Sequence, residues 1–277
     1  MSTDAAASLP SLAELLDTTR VVSLPLVTRF RGIDVREAAL FEGPEGWTEF
    51  SPFLEYDDAE AGQRLSDDVA RVRAVRDAMG PEGRIRVDAN GGWNLDEAEH
   101  AMHALASFDL EYVEQPCASI ADLLEIGIRT KYMGIPIAAD ESVRRADDPL
   151  AVAEADAADI LVVKAQPLGG VRRALEIVAE AGLPAVVSSA LDTSVGLAMG
   201  AALAAALPDL EYDCGLGTAA LLAADVVSPA LMPRDGSLSV ARVTPDAALL
   251  QQHAASDDRQ EWWRARIARC HSELTRS

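Results

Sequence analysis

Asp88, Glu114, Asp140, Lys164 and Ser188 each close a short apolar run: Arg-Ile-Arg-Val-Asp88, Leu-Glu-Tyr-Val-Glu114, Ile-Pro-Ile-Ala-Ala-Asp140, Asp-Ile-Leu-Val-Val-Lys164 and Pro-Ala-Val-Val-Ser188. Successive members stand 26, 26, 24 and 24 positions apart, and a sixth run, Asp209–Asp213, ends 25 positions later. A single carboxylate at such a point is usually the N-cap of the next helix. Three of them, Asp88, Glu114 and Asp140, held together would repel and raise one another's pKa, so a shared site calls for a cation. Hard oxygen donors of this kind suit Mg²⁺, which leaves positions for water and substrate. Lys164 would form an ion pair with Asp140 or Glu141; beside a metal, its ammonium can also abstract a proton or stabilise an enolate. Only Lys131 and Lys164 are lysines, so arginine carries nearly all the positive charge and a lysine at the end of an apolar run is a selected choice.

The elements that must position these groups are strands. Between the runs lie stretches with helical spacing, such as Leu95–Phe108 and Val171–Ala181. Strand and helix alternating at a steady period form a βα repeat. Parallel strands with right-handed crossovers put all their C-terminal ends at one edge, which is the active-site face of a βα barrel. Period-two alternation turns Arg86 and Asp88 inward and Ile85 and Val87 toward the helices. A helix is predicted over Leu65–Met79, begun by Ser66 or the Asp67-Asp68 pair and ended by Gly80-Pro81. A polar stretch at 57–63 leads into it, and before that stretch Val21–Phe30, Asp34–Glu42 and Trp47–Phe50 read as a small antiparallel sheet of a lid domain. After Asp213 the repeat stops at a glycine turn, Gly215-Leu216-Gly217-Thr218; a strand near Leu238–Val243 and a polar helix with Trp262-Trp263 read as a return to the lid. The domains expected are 1–61 for the N-terminal part of the cap, 62–227 for a barrel of six strands, and 228–277 for the C-terminal return.

With 277 residues, 49% of them hydrophobic, the chain can bury a large core. A net charge of −21 argues against nucleic acid or an anionic membrane as partner. A carboxylate substrate would then need a local cation. Cys117, Cys214 and Cys270 are odd in number and widely spaced, which suits a reducing, cytoplasmic compartment. Met1–Leu16 lacks the pattern of a secretory signal, and Val195–Leu207 falls short of a bilayer span. His100, His103, His253 and His271 sit in helical segments, so no Ser-His-Asp arrangement forms at the strand ends.

The chain resembles the enolase superfamily, and within it the o-succinylbenzoate synthases of menaquinone biosynthesis in their actinobacterial form. The motifs are Val87-Asp88-Ala89-Asn90-Gly91-Gly92-Trp93, Glu114-Gln115-Pro116, Ala139-Asp140-Glu141-Ser142, Lys164 to Gly170, Ser188-Ser189, Gly215 to Thr218, Phe30-Arg31-Gly32 and Gly46 to Phe53. The resemblance implies an α/β fold, a (β/α)7β barrel with an α+β capping domain. It implies that Asp88, Glu114 and Asp140 bind Mg²⁺, which grips the substrate carboxylate, with Asn90 and Glu141 supporting those ligands. It places Lys164 on one side of the enolate, and Ser188, Ser189, Gly215 and Gly217 at the substrate-binding edge. The implied reaction is a syn-type dehydration through an enediolate.

One departure stands out. The family carries a Lys-x-Lys motif at the end of the second barrel strand, and its second lysine is the base; no such motif occurs in this sequence. The chain passes from Glu55-Tyr56-Asp57, similar to the cap, to Gly62-Gln63-Arg64-Leu65, similar to the family's segment after the second strand. The first two barrel strands and part of the cap are therefore expected to be missing, leaving edges at the Asp88 and Asp213 strands. Three readings stand: an o-succinylbenzoate synthase impaired by loss of its base; an N-acylamino acid racemase or cycloisomerase of the same superfamily; or a non-catalytic Mg²⁺-binding remnant. A racemase needs a base on each face of its substrate, so a single lysine counts against it most. Oligomeric state is not written in the sequence.

Overall fold

The computed structural model describes residues 11–30, 33–43, 46–51, 65–144 and 148–274, without the side chains of 65–68 and 273–274. The polar stretch 57–63, the junction expected to mark missing strands, and the capping side chains of Ser66, Asp67 and Asp68 lie outside the described residues. The elements begin with α1 (Leu12–Thr18), β1 (Arg20–Phe30), β2 (Ile33–Gly43), β3 (Gly46–Phe50) and α2 (Leu65–Met79). They continue with β4 (Ile85–Asp88), α3 (Leu95–Leu105), β5 (Leu110–Glu114), α4 (Ile120–Thr130), β6 (Ile137–Ala139), α5 (Asp148–Glu154), β7 (Ile160–Val163), α6 (Val171–Ala181) and β8 (Ala185–Val187). The last are α7 (Ser194–Ala206), α8 (Ala247–Gln252) and α9 (Asp257–Leu274).

The chain divides into two compact units: Met1–Pro52 with Ser189–Ala201 and Leu216–Ser277, and Phe53–Ser188 with Ala202–Gly215. This differs from the boundaries drawn at 61 and 227, because 189–201 and 216–227 bond to the N-terminal strands. Thr193 and Gly196 donate their N–H groups to Glu49 at 3.1 Å each, and Ala223 N–H reaches Pro25 O at 2.8 Å.

In the first unit, β1, β2 and β3 form the antiparallel sheet expected of these segments, with Val21 opposite Ala39 and Leu40 opposite Glu49. Helix α9 lays Trp263 and Ile267 on Val21, Ala39 and Ala255. Glu37 on β2 accepts from Trp263 Nε1 at 2.9 Å and from Arg259 Nε at 2.9 Å, tying this sheet to the C-terminal helix. The region 238–243, expected as a strand, is not one: its residues are exposed or half-buried, and among the described residues none joins a strand ladder or a β-bridge.

In the second unit the five runs form one parallel sheet in the order β4-β5-β6-β7-β8. Tyr112, Ala138, Ile160, Val162 and Val186 make one buried cluster, with Tyr212 packed on it. These are alternate residues of their strands, so the intervening Val113, Ala139, Leu161 and Val187 turn to the helix side. All four residues of β7 are buried, as for a parallel strand covered on both faces.

The sixth run is a correction: 209–213 is not a strand. Asp209, Glu211 and Asp213 are exposed, and among the described residues β-pairing begins only beyond the run, at a parallel bridge between Gly215 and Ser188. Each of the five strands has at least one ladder partner, and this run has none among the described residues. The interval between this segment and β4 is instead crossed by side chains. Arg86 on β4 donates through Nη1 to Asp213 O at 2.6 Å and through Nε to Glu111 Oε2 at 2.6 Å. Its guanidinium lies 4.8 Å from the Tyr112 ring centroid, and the Tyr112 ring meets Tyr212 edge-on at 5.8 Å.

Candidate active site

Asp88 and Glu114 end β4 and β5; Asp140, Lys164 and Ser188 come directly after β6, β7 and β8. Each follows by two positions an inward residue of the sheet, Arg86, Tyr112, Ala138, Val162 and Val186 respectively. The alternation that fills the interior therefore aims these five side chains to the same side, at the C-terminal edge. Asp88 lies opposite Glu114 in the register, and Glu114 opposite Ala138, two positions before Asp140.

Asp140 is buried, and its Oδ1 accepts from Lys164 Nζ, the ion pair considered for that lysine. Asn90 adopts a left-handed φ of 49° and donates its N–H to Asp88 Oδ1 at 2.8 Å, so it supports Asp88 through its backbone. Glu141 accepts from Arg144 Nη2 at 2.7 Å. The loop after β4 packs closely on the loop after β5. Gly91 has φ +70°, and a Cβ there would stand 3.2 Å from Ala118 Cα, which only glycine avoids.

The carboxyls feel one another. Burial first, then the charges of Asp88 and Asp140, pushes Glu114 up to about 8 against the opposing pull of Lys164. Asp88 is pushed up to about 6 by the protein atoms crowding its carboxyl, opposed by the Asn90 N–H and Lys164 and reinforced by Glu141 and Asp140. Solvent still reaches part of that residue.

The donor set fits a hard divalent cation: carboxylate oxygens on successive strands, two of them holding their protons toward neutrality first through burial and then through mutual repulsion, both of which a bound cation would offset. As placed, no three His, Cys, Asp or Glu among the described residues close around one point, and the Asp140 carboxylate is engaged by Lys164.

Of the expected substrate edge, Ser188 and Gly215 belong to the second unit and adjoin: Gly215 N–H donates to Val187 O at 2.8 Å, and a Cβ at 215 would meet Ser188 Oγ at 2.8 Å. Ser189 and Gly217 belong to the first unit, where Ser189 Oγ shares a 2.8 Å hydrogen bond with Thr218 Oγ1 and Gly217 precedes the turn Thr218–Leu221. Residue-type reasoning passed over Gln115, whose fully buried amide bonds to the loop carrying Asp140. Its one signal in the sequence was its place between Glu114 and Pro116.

The family described as "Enolase C-terminal domain-like" matches residues 47–246, and "Enolase N-terminal domain-like" matches 21–67. The o-succinylbenzoate synthase of Mycobacterium tuberculosis (strain ATCC 25618 / H37Rv) is 44% identical over 327 aligned positions, covering 97% of this chain and 98% of that protein. The chain belongs to the o-succinylbenzoate synthase family of the enolase superfamily. Another member, from Thermobifida fusca (strain YX), is 45% identical over 307 positions, covering 91% of this chain and 95% of that protein. Among solved structures, the muconate lactonizing enzyme of Pseudomonas fluorescens superposes with a TM-score of 0.75 at 18% identity, covering 86% of this chain and 98% of that one, which is a likeness of fold. The family fold is thus present, as a parallel half-barrel sheet in one unit and an antiparallel sheet in the other. The alignments also measure what this chain lacks. Against the M. tuberculosis protein, 327 positions draw on 97% of 277 residues, about 269, so about 58 positions have no residue from this chain.

Proposed function

We propose that the strand-end cluster carries the reaction named for the family, dehydration to o-succinylbenzoate in menaquinone biosynthesis, on a small carboxylate substrate in the cytoplasm. The observation that supports this most is the in-register placing of Asp88 and Glu114, with Asp140 and Lys164 on the next two strands and two carboxyls held above their usual range. Asp88, Glu114 and Asp140 would hold Mg²⁺, which when bound supplies positive charge for the substrate carboxylate. Lys164 faces the carbon α to that carboxylate, where its ammonium stabilises the enediolate while solvent water, in place of the family's second lysine, takes the α-proton. Hydroxide then departs from the neighbouring carbon and leaves as water, taking up the proton that the solvent had accepted. Ser188 and Gly215 form one wall of the substrate edge.

The second lysine of the family pattern has no counterpart. Lys131 is exposed and lies in the turn Lys131–Met133 between α4 and β6, at the end of the sheet opposite the carboxylates. We assign the Lys-x-Lys motif to the positions that this chain lacks. Loss of a general base typically removes roughly 10²–10⁴-fold in rate. The expected outcome is turnover of the o-succinylbenzoate precursor that needs Mg²⁺, is abolished by EDTA and by Lys164→Ala, and runs slower than the T. fusca enzyme by about that factor. Turnover unaffected by EDTA and by Lys164→Ala would sink the assignment. Mg²⁺ binding without any turnover would favour the remnant reading, which the single lysine supports.

A further inference from the structure

We infer that Gln115 is the positioning residue of this site: its side-chain amide fixes the backbone that carries Asp140, and so sets where the third carboxylate stands. The side chain is wholly buried. Its Oε1 accepts the N–H of Asp140 at 2.9 Å and of Ser142 at 3.2 Å. Its Nε2 donates to Cys117 O at 2.9 Å and to Ser142 Oγ at 2.8 Å. A primary amide has two donors and two acceptor sites, and all four are used within the protein. Gln115 therefore touches no substrate.

The backbone of the same residue completes the arrangement. Gln115 N–H donates to Ala138 O at 2.7 Å, and Gln115 O accepts from Gly91 N–H at 2.7 Å. One residue thus joins the loops after β4, β5 and β6, the three strands that carry the carboxylates. Its φ of 38° lies in the left-handed region, which a non-glycine residue adopts only where its surroundings over-determine it. Helix-capping does not account for this geometry, because Ser119 caps α4. The bonds across to Asp140 and Ser142 instead couple the β5 and β6 strand ends.

This rests on the metal reading above, and the test separates the two. Mg²⁺ is titrated calorimetrically into EDTA-stripped full-length protein, with melting temperature measured alongside. Removing a group that orients a metal ligand typically weakens binding about 10–100-fold. Gln115→Met keeps the length and loses all four bonds, so a folded variant is expected to bind Mg²⁺ at least about tenfold more weakly. Ser142→Ala, which removes one acceptor of the amide, is expected to weaken binding less, and Ser142→Thr, which restores the hydroxyl, to return it to the wild-type value. A purely structural role would lower the melting temperature and leave the affinity of the folded protein unchanged; that result overturns the proposal. If Gln115→Met does not fold, the Ser142 pair decides, and equal affinities for Ala and Thr overturn it. Wild-type protein that binds no Mg²⁺ overturns the metal reading itself.

Discussion

A carboxyl that keeps its proton toward neutrality makes the folded chain a better base than the unfolded one. Asp88 titrates at about 6 and Glu114 at about 8, against ordinary values of 3.8 and 4.5. Between those limits the folded state binds protons that the unfolded state has released, so stability must fall as pH rises. The contribution is fully present below about pH 4 and is lost through about pH 6 at Asp88 and about pH 8 at Glu114. In EDTA the melting temperature is expected to decline across this range, with Asp88→Asn removing the lower part and Glu114→Gln the upper. Mg²⁺ competes with the same protons, so its stabilising effect should grow with pH. Variants that decline with the same profile as wild type would show that other groups set the slope.

At the scale of elements, Arg86 stands in for a ladder. Its fork bonds to Glu111 and to Asp213 O, and its face covers Tyr112, with side-chain exposures of 23% for Arg86 and 12% for Glu111. Arg86→Met leaves Glu111 without this partner and is expected to cost about 2–3 kcal/mol in urea unfolding. Arg86→Lys keeps the charge without the planar fork and should recover only part of that. Equal stability of all three proteins would refute the role given to this residue. These elements also show what could be read in advance. The five parallel strands were legible because their runs are short, apolar and closed by a polar residue at a steady period. The carboxylates and Lys164 were legible for the same reason. Asp209–Asp213 misled because its alternation is that of a strand, whereas pairing depends on a neighbour that the chain does not supply. Gln115 was hidden because its meaning lies in partners 25 and 27 positions away, at Asp140 and Ser142.

At the scale of the molecule, 45 acidic residues against 24 basic ones leave the net charge at −21. A compact chain with that imbalance repels itself. Raising NaCl from low ionic strength to about 0.3 M, where screening acts over only several Å, is expected to raise the melting temperature in EDTA. A melting temperature that falls with salt would mean that specific ion pairs outweigh the general repulsion. No helix among the described residues is long and apolar enough to cross a membrane.

The side-chain crossing between β4 and the segment ending at Gly215 has a kinetic consequence. A strand ladder gives way rung by rung, and each broken rung exposes two backbone groups to water. A clasp built from one guanidinium and two rings releases in a single event and leaves the sheet's own hydrogen bonds intact. Brief openings of this unit should therefore begin at Arg86 and Asp213, admitting water sideways to the Tyr112 layer below the carboxylates. Among the described residues, this side of the half-barrel is kept shut by a residue two positions before a proposed metal ligand.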